Sequence, residues 1–277
     1  MSFALIRHRL HSGRPLVLDA DTCASFRARG VALDSPGALG RLLRERRDDV
    51  VAHYRAEIAS RVDVLSTLTA DTTPRALAEV GMQHRAAALT GLAVELALAA
   101  AAESPKPVAV AGVLGGELVS PLASDRLYEE FCEHAARLAA AGCELLIARG
   151  LGSRLELMAA ITAAATTELP TWAVIETLPG GELVTGGPVG PLVRALEQGG
   201  ADVVLFEVPS VDEGVAQLER ARATGAGDDS VMGVLLAGGD QSLRGFPDDD
   251  ADEEAWAKNA LALDAARACD RRRRGYQ

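Results

Sequence analysis

The sequence predicts an α/β chain whose parallel strands close into a (β/α)8 TIM-type barrel, with the eighth unit degenerate or missing. Three observations predict it. Seven apolar runs recur along the 277 residues, and helical stretches separate them. The runs are continuous rather than alternating, as strands covered on both faces are. Their C-terminal ends carry polar and charged side chains, beginning with Asp19 and Asp21 after Leu16-Val17-Leu18, as strands that feed one barrel mouth do.

Residues 1–14 contain Arg7, His8, Arg9, His11 and Arg14 and are expected to be a solvated basic arm ahead of a barrel domain at 15–277. Strand one is predicted over Leu16–Ala20. Pro36 and Gly37 open a helical region reaching Ser60, with Leu39, Leu42, Leu43, Val50, Val51 and Ile58 as its apolar stripe. Strand two is Val62–Leu68. The alanine-rich helix from about Gly81 to Glu103 stops before Pro105 and Pro107, which cannot continue it.

Strand three, Pro107–Val113, leads into the turn Leu114-Gly115-Gly116. The next helix spans Ser124–Ala141, with Ser124 as its expected cap and Gly142 as its stop. Strand four is Cys143–Arg149, its helix Ser153–Thr167, and strand five Thr171–Thr177. A helix at Val189–Gln198 precedes strand six, Ala201–Val208. The helix Val211–Thr224 then leads to strand seven, Ser230–Ala237, and the last helix is Ala251–Ala268. Beyond it only Arg267 to Asp270 could supply an eighth strand, ahead of the arginines Arg271 to Arg274.

Apolar residues make up 48%, enough for a sizeable core, while 4% aromatics argue against a base-stacking surface. A formal charge of −11 repels phosphate backbones and anionic lipid, so nucleic acid and membrane are poor partners. The apolar run Gly91–Ala102 contains Glu95 and is shorter than the ~20 residues a bilayer span needs. The four cysteines, Cys23, Cys132, Cys143 and Cys269, form no C-x-x-C pair or disulfide framework. With no recognisable secretory leader, the expected compartment is the cytoplasm.

Val17 to Gly30, V-L-D-A-D-T-C-A-S-F-R-A-R-G, resembles the opening of the homocysteine S-methyltransferase family, L-D-G-G-x-G-T-E-L-x-R-R-G. Further likenesses follow in order. Ser66-Thr67-Leu68-Thr69 stands where the family has T-T-N-T, and Ala111 to Gly115 resembles its A-G-S-x-G turn. Ala141-Gly142-Cys143-Glu144 with Arg149 resembles A-G-A-D followed by F-E-T. Gly200-Ala201-Asp202 with Leu205 to Val208 resembles G-A-D followed by G-V-N-C. The similarity runs from about Pro15 to Ala268.

The resemblance implies methyl transfer to the thiol of homocysteine, made nucleophilic by a zinc ion on three cysteines. It also sets the departures. Val208 stands at the first zinc cysteine and Glu207 at the asparagine before it, while the C-terminal G-G-C-C pair has no counterpart. Arg149 replaces a glutamate that helps hold the substrate's amino group, and Leu68 replaces an asparagine. Ala20, Asp21, Cys23 and Ser25 replace the glycines and glutamate of the opening, and Asp19 is retained. The expectation is a divergent member with no cofactor, its family zinc absent.

Strand ends expected at the mouth supply Asp19, Asp21, Thr67, Thr69, Arg149, Glu176, Glu207 and Asp240. The predicted substrate-binding set is Asp19, Asp21, Thr67, Arg149, Glu176 and Glu207, with Arg149 taking a carboxylate and Asp19 or Glu207 an amine. The competing reading has Arg149 paired with Glu207 and Asp19, neutralising a vacated site. A hard cation on the carboxylates is a less favoured third. Cys23 is read as a small apolar filler and His53 as solvated or half-buried. Two functions follow: methyl transfer to, or binding of, a small thiol or amino-acid-like ligand, or an inactive barrel kept for binding a ligand or a protein. An incomplete barrel leaves open strand edges, expected to be covered in a homodimer or a pair with an intact relative.

Overall fold

The computed structural model describes residues 6, 16–19, 25–27, 29–33, 35–115, 123–178, 181–226 and 231–236. Among them the sheet has six parallel strands in sequential order: β1 (Val64–Ser66), β2 (Ala109–Gly115), β3 (Leu145–Arg149), β4 (Thr171–Glu176), β5 (Val203–Val208) and β6 (Val231–Leu236). Leu18 bridges Val64 in parallel, ahead of β1. An order that never reverses, with a helix after each strand from β1 to β5, is an arc of a (β/α) barrel rather than a doubly wound sheet. Strand one is a single bridge there, and β1 is shorter than Val62–Leu68. The expected last helix and eighth strand lie outside the described residues.

The helices are α1 (Ala38–Glu45), α2 (Arg47–Ala59), α3 (Pro74–Ala78), α4 (Ala86–Ala102), α5 (Ser124–Ala141), α6 (Arg154–Ala165), α7 (Val189–Gln198) and α8 (Val211–Ala223). Ser153 caps α6 in a full capping box with Glu156. Gly142, at φ 103°, ends α5 as expected, but Ala123 holds the N-cap position and Ser124 is already helical, so Ser124 makes no side-chain cap. Gly37 has to be glycine: its φ is 75°, and a Cβ would lie 2.6 Å from the Ala76 carbonyl oxygen.

With its 3-10 entry turn, α4 forms a 20-residue stretch, Gln83–Ala102, apolar and long enough to cross a bilayer by composition alone. Its inner face is instead spent within the fold, where Leu89, Ala93, Leu96, Ala97 and Ala100 pack against α1, α2 and the strands.

Strand side chains sort by parity, as a pleated strand requires. One apolar cluster fills the concave interior: Val64, Ala109 and Ala111, Leu145 and Ile147, Trp172 and Val174, Val203 and Leu205. The alternate residues, among them Leu146, Ala148, Ala173, Val204 and Phe206, face the helices. Two positions past the last interior apolar residue, the same parity reaches Ser66, Arg149, Glu176 and Glu207. That parity is how the sequence builds a polar rim on an apolar floor. Ile6, the described residue of the basic arm, is 3% exposed and packs into the interior cluster, so at that position the arm is not solvated.

One device recurs at the opposite end of the sheet. Asp63, Glu144 and Asp202 each precede a strand. Each donates its N–H to a carbonyl near the start of the neighbouring strand or bridge: Asp63 to Val17 (2.7 Å), Glu144 to Val110 (2.9 Å) and Asp202 to Thr171 (2.8 Å). Each side-chain carboxylate also accepts that same residue's N–H, at 2.9, 3.3 and 2.8 Å. The acids of the A-G-C-E and G-A-D motifs are therefore strand clamps far from any mouth.

Candidate functional site

Asp19 follows the Leu18 bridge, and its N–H donates to the Val64 carbonyl at 3.2 Å. The carboxylate is 4% exposed. Its Oδ2 accepts the Ser66 N–H at 2.8 Å, and its Oδ1 accepts the Ser66 hydroxyl at 2.7 Å. Burial pushes its pKa from 3.8 up to about 7, opposed by the two Ser66 bonds and by the Arg149 charge, and assisted by Glu57 of α2.

Arg149 ends β3 and Glu207 lies near the end of β5. Arg149 Nη2 donates to Glu207 Oε1 at 2.6 Å and Nε to Oε2 at 3.2 Å, a two-pronged pair. Both side chains are largely buried. Glu176 of β4 is in register with Glu207 on the adjacent strand, so the two acids share one face of the sheet. The close approach of β2 to β3 here excludes any side chain at Gly115, where a Cβ would come within 1.9 Å of the Arg149 carbonyl oxygen.

Thr67 and Thr69, expected at the mouth, are buried and hydrogen-bonded within the scaffold. Thr69 Oγ1 donates to the Val113 carbonyl at 3.0 Å and accepts the Val113 N–H at 3.0 Å, locking the loop after β1 to β2. A hydroxyl has one proton, so the 2.8 Å contact between Thr67 and Thr69 has Thr67 as donor. The Thr69 carbonyl also lies 3.0 Å from His134 Nε2 on α5. His134 is fully buried, and burial lowers its pKa to about 4, so it is the neutral Nε2–H tautomer. The sequence held a signal for this burial: Phe131, His134, Ala135 and Leu138 share one helical face.

His53 departs from its expected solvated or half-buried state. It is 1% exposed, its Nδ1 lies 3.2 Å from Arg29 Nη2, and its ring packs 5.0 Å from that of Phe26. Asp21, Asp240, Cys23 and Cys269 lie outside the described residues. A cleft of about 640 Å³ between Gly181, Gly187, Val189, Arg220 and Thr224 includes none of the predicted site residues.

The described residues do not fit a three-thiolate zinc site. Val208, matched to the first zinc cysteine, is fully buried on the helix-facing side of β5. Cys143 precedes β3 at the end away from the mouth, and Cys132 lies on α5. Among the described residues no three His, Cys, Asp or Glu side chains gather closely enough to hold a metal.

Comparison with known proteins agrees with the motifs. The homocysteine S-methyltransferase family model matches residues 16–266. No curated protein matches the chain. Crystal structures of the homocysteine methyltransferase MmuM from Escherichia coli are similar in fold. The metallated form is 18% identical with a TM-score of 0.65, over 82% of this chain and 93% of that one. The oxidised form is 18% identical with a TM-score of 0.64, over 80% and 91%. The apo form is 19% identical with a TM-score of 0.58, over 91% and 95%.

Proposed function

This chain belongs to the homocysteine S-methyltransferase family, and we propose that it methylates a small thiol or amino-acid-like substrate in a barrel mouth that lacks the three-cysteine zinc. The observation that carries this reading is the polar rim. Arg149, Glu176 and Glu207 rise from the consecutive strands β3, β4 and β5 over an apolar floor, Asp19 is bonded to the rim residue Ser66, and the position matched to a zinc thiolate is a valine turned toward the helices. Glu176 takes the ligand's amine, Asp19 faces its thiol, Glu207 orients Arg149, and Arg149 meets the ligand's carboxylate. Asp21 belongs to the same proposed set by its place in the opening motif. With the eighth unit degenerate or missing, a second subunit, either another copy of this chain or an intact relative, covers the barrel's open edges and completes the proposal.

The test is direct. Purified protein is incubated with homocysteine and, in turn, S-methylmethionine, S-adenosylmethionine and glycine betaine, and methionine is measured by mass spectrometry. Methionine formation that falls at least tenfold in Arg149→Met supports the reading, since single groups that stabilise transition states contribute on the order of 100-fold. Absence of methylated product with every donor, and with other small thiols, overturns it. The two-pronged bond between Arg149 and Glu207 favours a second reading, in which the charges neutralise each other and the barrel only binds a ligand or partner.

A further inference from the structure

A methyl acceptor's thiol must lose its proton before or as its sulfur attacks, because the thiolate is the nucleophile and the thiol predominates near neutrality. A metal held by thiolates would lower that cost, but Val208, Cys132 and Cys143 offer no such site. Bonded to the rim residue Ser66 is a carboxylate, Asp19, with spare acceptor capacity. Ser66 makes one hydrogen bond to each oxygen of Asp19, and a carboxylate has about four acceptor positions. Among the described residues no cation touches Asp19.

Resting on the methyl-transfer reading above, we propose that Asp19 is the base that takes the acceptor thiol's proton, with Ser66 as the positioning residue that aims it. The S–H bond breaks toward an Asp19 oxygen. The sulfur lone pair forms the new S–CH3 bond while the CH3–X bond of an onium donor, a sulfonium or quaternary ammonium, breaks. Its electron pair stays on X, which leaves neutral. The proton passes from Asp19 to solvent, and nothing is oxidised or reduced.

The surroundings suit this role. Burial raises the Asp19 pKa to about 7, close to the value at which a general base is both free of its proton and strong enough to take one. Among the described residues three other titratable or charged groups face it. Glu57 of α2 raises its pKa, Arg149 of β3 lowers it, and Tyr54 of α2, itself pushed upward by burial, stays neutral and bonded to the Leu68 N–H at 3.0 Å. The Ser66 hydroxyl bond lowers the Asp19 pKa, so its removal has a defined direction.

The experiment is the pH profile of kcat/KM for homocysteine methylation by S-methylmethionine, with and without EDTA, in wild type, Asp19→Asn and Ser66→Ala. The expected wild-type profile rises through pH about 7 and is unchanged by EDTA. Asp19→Asn loses that limb and on the order of 100-fold or more in rate, while Ser66→Ala keeps the limb but moves it to higher pH. A purely structural Asp19 would change the rate without moving a limb. Circular dichroism and retained homocysteine binding separate an unfolded variant from an inactive one. Turnover in which the limb survives Asp19→Asn, or which EDTA abolishes, overturns the role of Asp19 and leaves methyl transfer standing. Absence of turnover at every pH, with every donor and thiol named above, overturns both.

Discussion

Asp19 is held where its ionisation works against folding. A folded pKa of about 7 against 3.8 means that the native state keeps the proton longer than the unfolded chain does. Its contribution to stability is complete below pH 3.8 and is lost as the pH rises through about 7. His134 runs the other way: with its pKa lowered to about 4, its contribution is lost as the pH falls from 6.5 through that value. The wild-type curve mixes the two, so the informative quantity is the difference between wild type and Asp19→Asn. We expect urea unfolding to show the variant gaining on the wild type between pH about 4 and about 7, by on the order of a few kcal/mol. A difference independent of pH contradicts this. A group whose buried charge costs the fold is one for which function is the natural explanation. Its place after an apolar run was legible in the sequence. Its Ser66 partner was not, because that contact joins residues 47 apart.

At the scale of the elements, the carboxylate clamps make a prediction that separates shape from charge. Asp202→Ala leaves the buried Thr171 N–H without its side-chain acceptor and should cost about 1–3 kcal/mol in urea unfolding. Asp202→Asn keeps an acceptor oxygen and should recover most of that loss. Equal losses in both variants would mean that the hydrogen bond is not what matters. The sequence pattern made the strands and most helices legible, since apolar runs, proline stops and Gly142 are local signals. It misplaced the α5 cap because Ser124 and Ala123 are adjacent candidates and only backbone geometry separates them. It missed α3, although Thr73 accepts the Ala76 N–H and Pro74 stands at the first helical position, a start signal in a helix too short to show periodicity. The threonine network was hidden for a different reason. Thr67, Thr69, Thr72 and Thr90 look like surface hydroxyls until tertiary packing turns them toward one another.

Across the molecule, strand parity joins fold to function. Each apolar residue on the barrel floor determines which later residue on its strand reaches the rim. The substitutions at Arg149, Glu207 and Val208 are thus placements of charge and of a methyl group on known faces. The family membership and the sequential sheet agree with the order of the motifs. The burial of Ile6 could not be anticipated, since the apolar run Phe3 to Ile6 ahead of the arginines and histidines is too short to carry a periodic signal. The central claim is that this scaffold makes sulfur nucleophilic without a zinc ion on three thiolates. The most direct test is the zinc content, by mass spectrometry, of protein purified from zinc-supplemented cells and shown to transfer methyl groups. The account predicts zinc far below one ion per chain and turnover that survives chelation. Stoichiometric zinc whose removal abolishes turnover, with cysteine thiolates as its ligands, would contradict it.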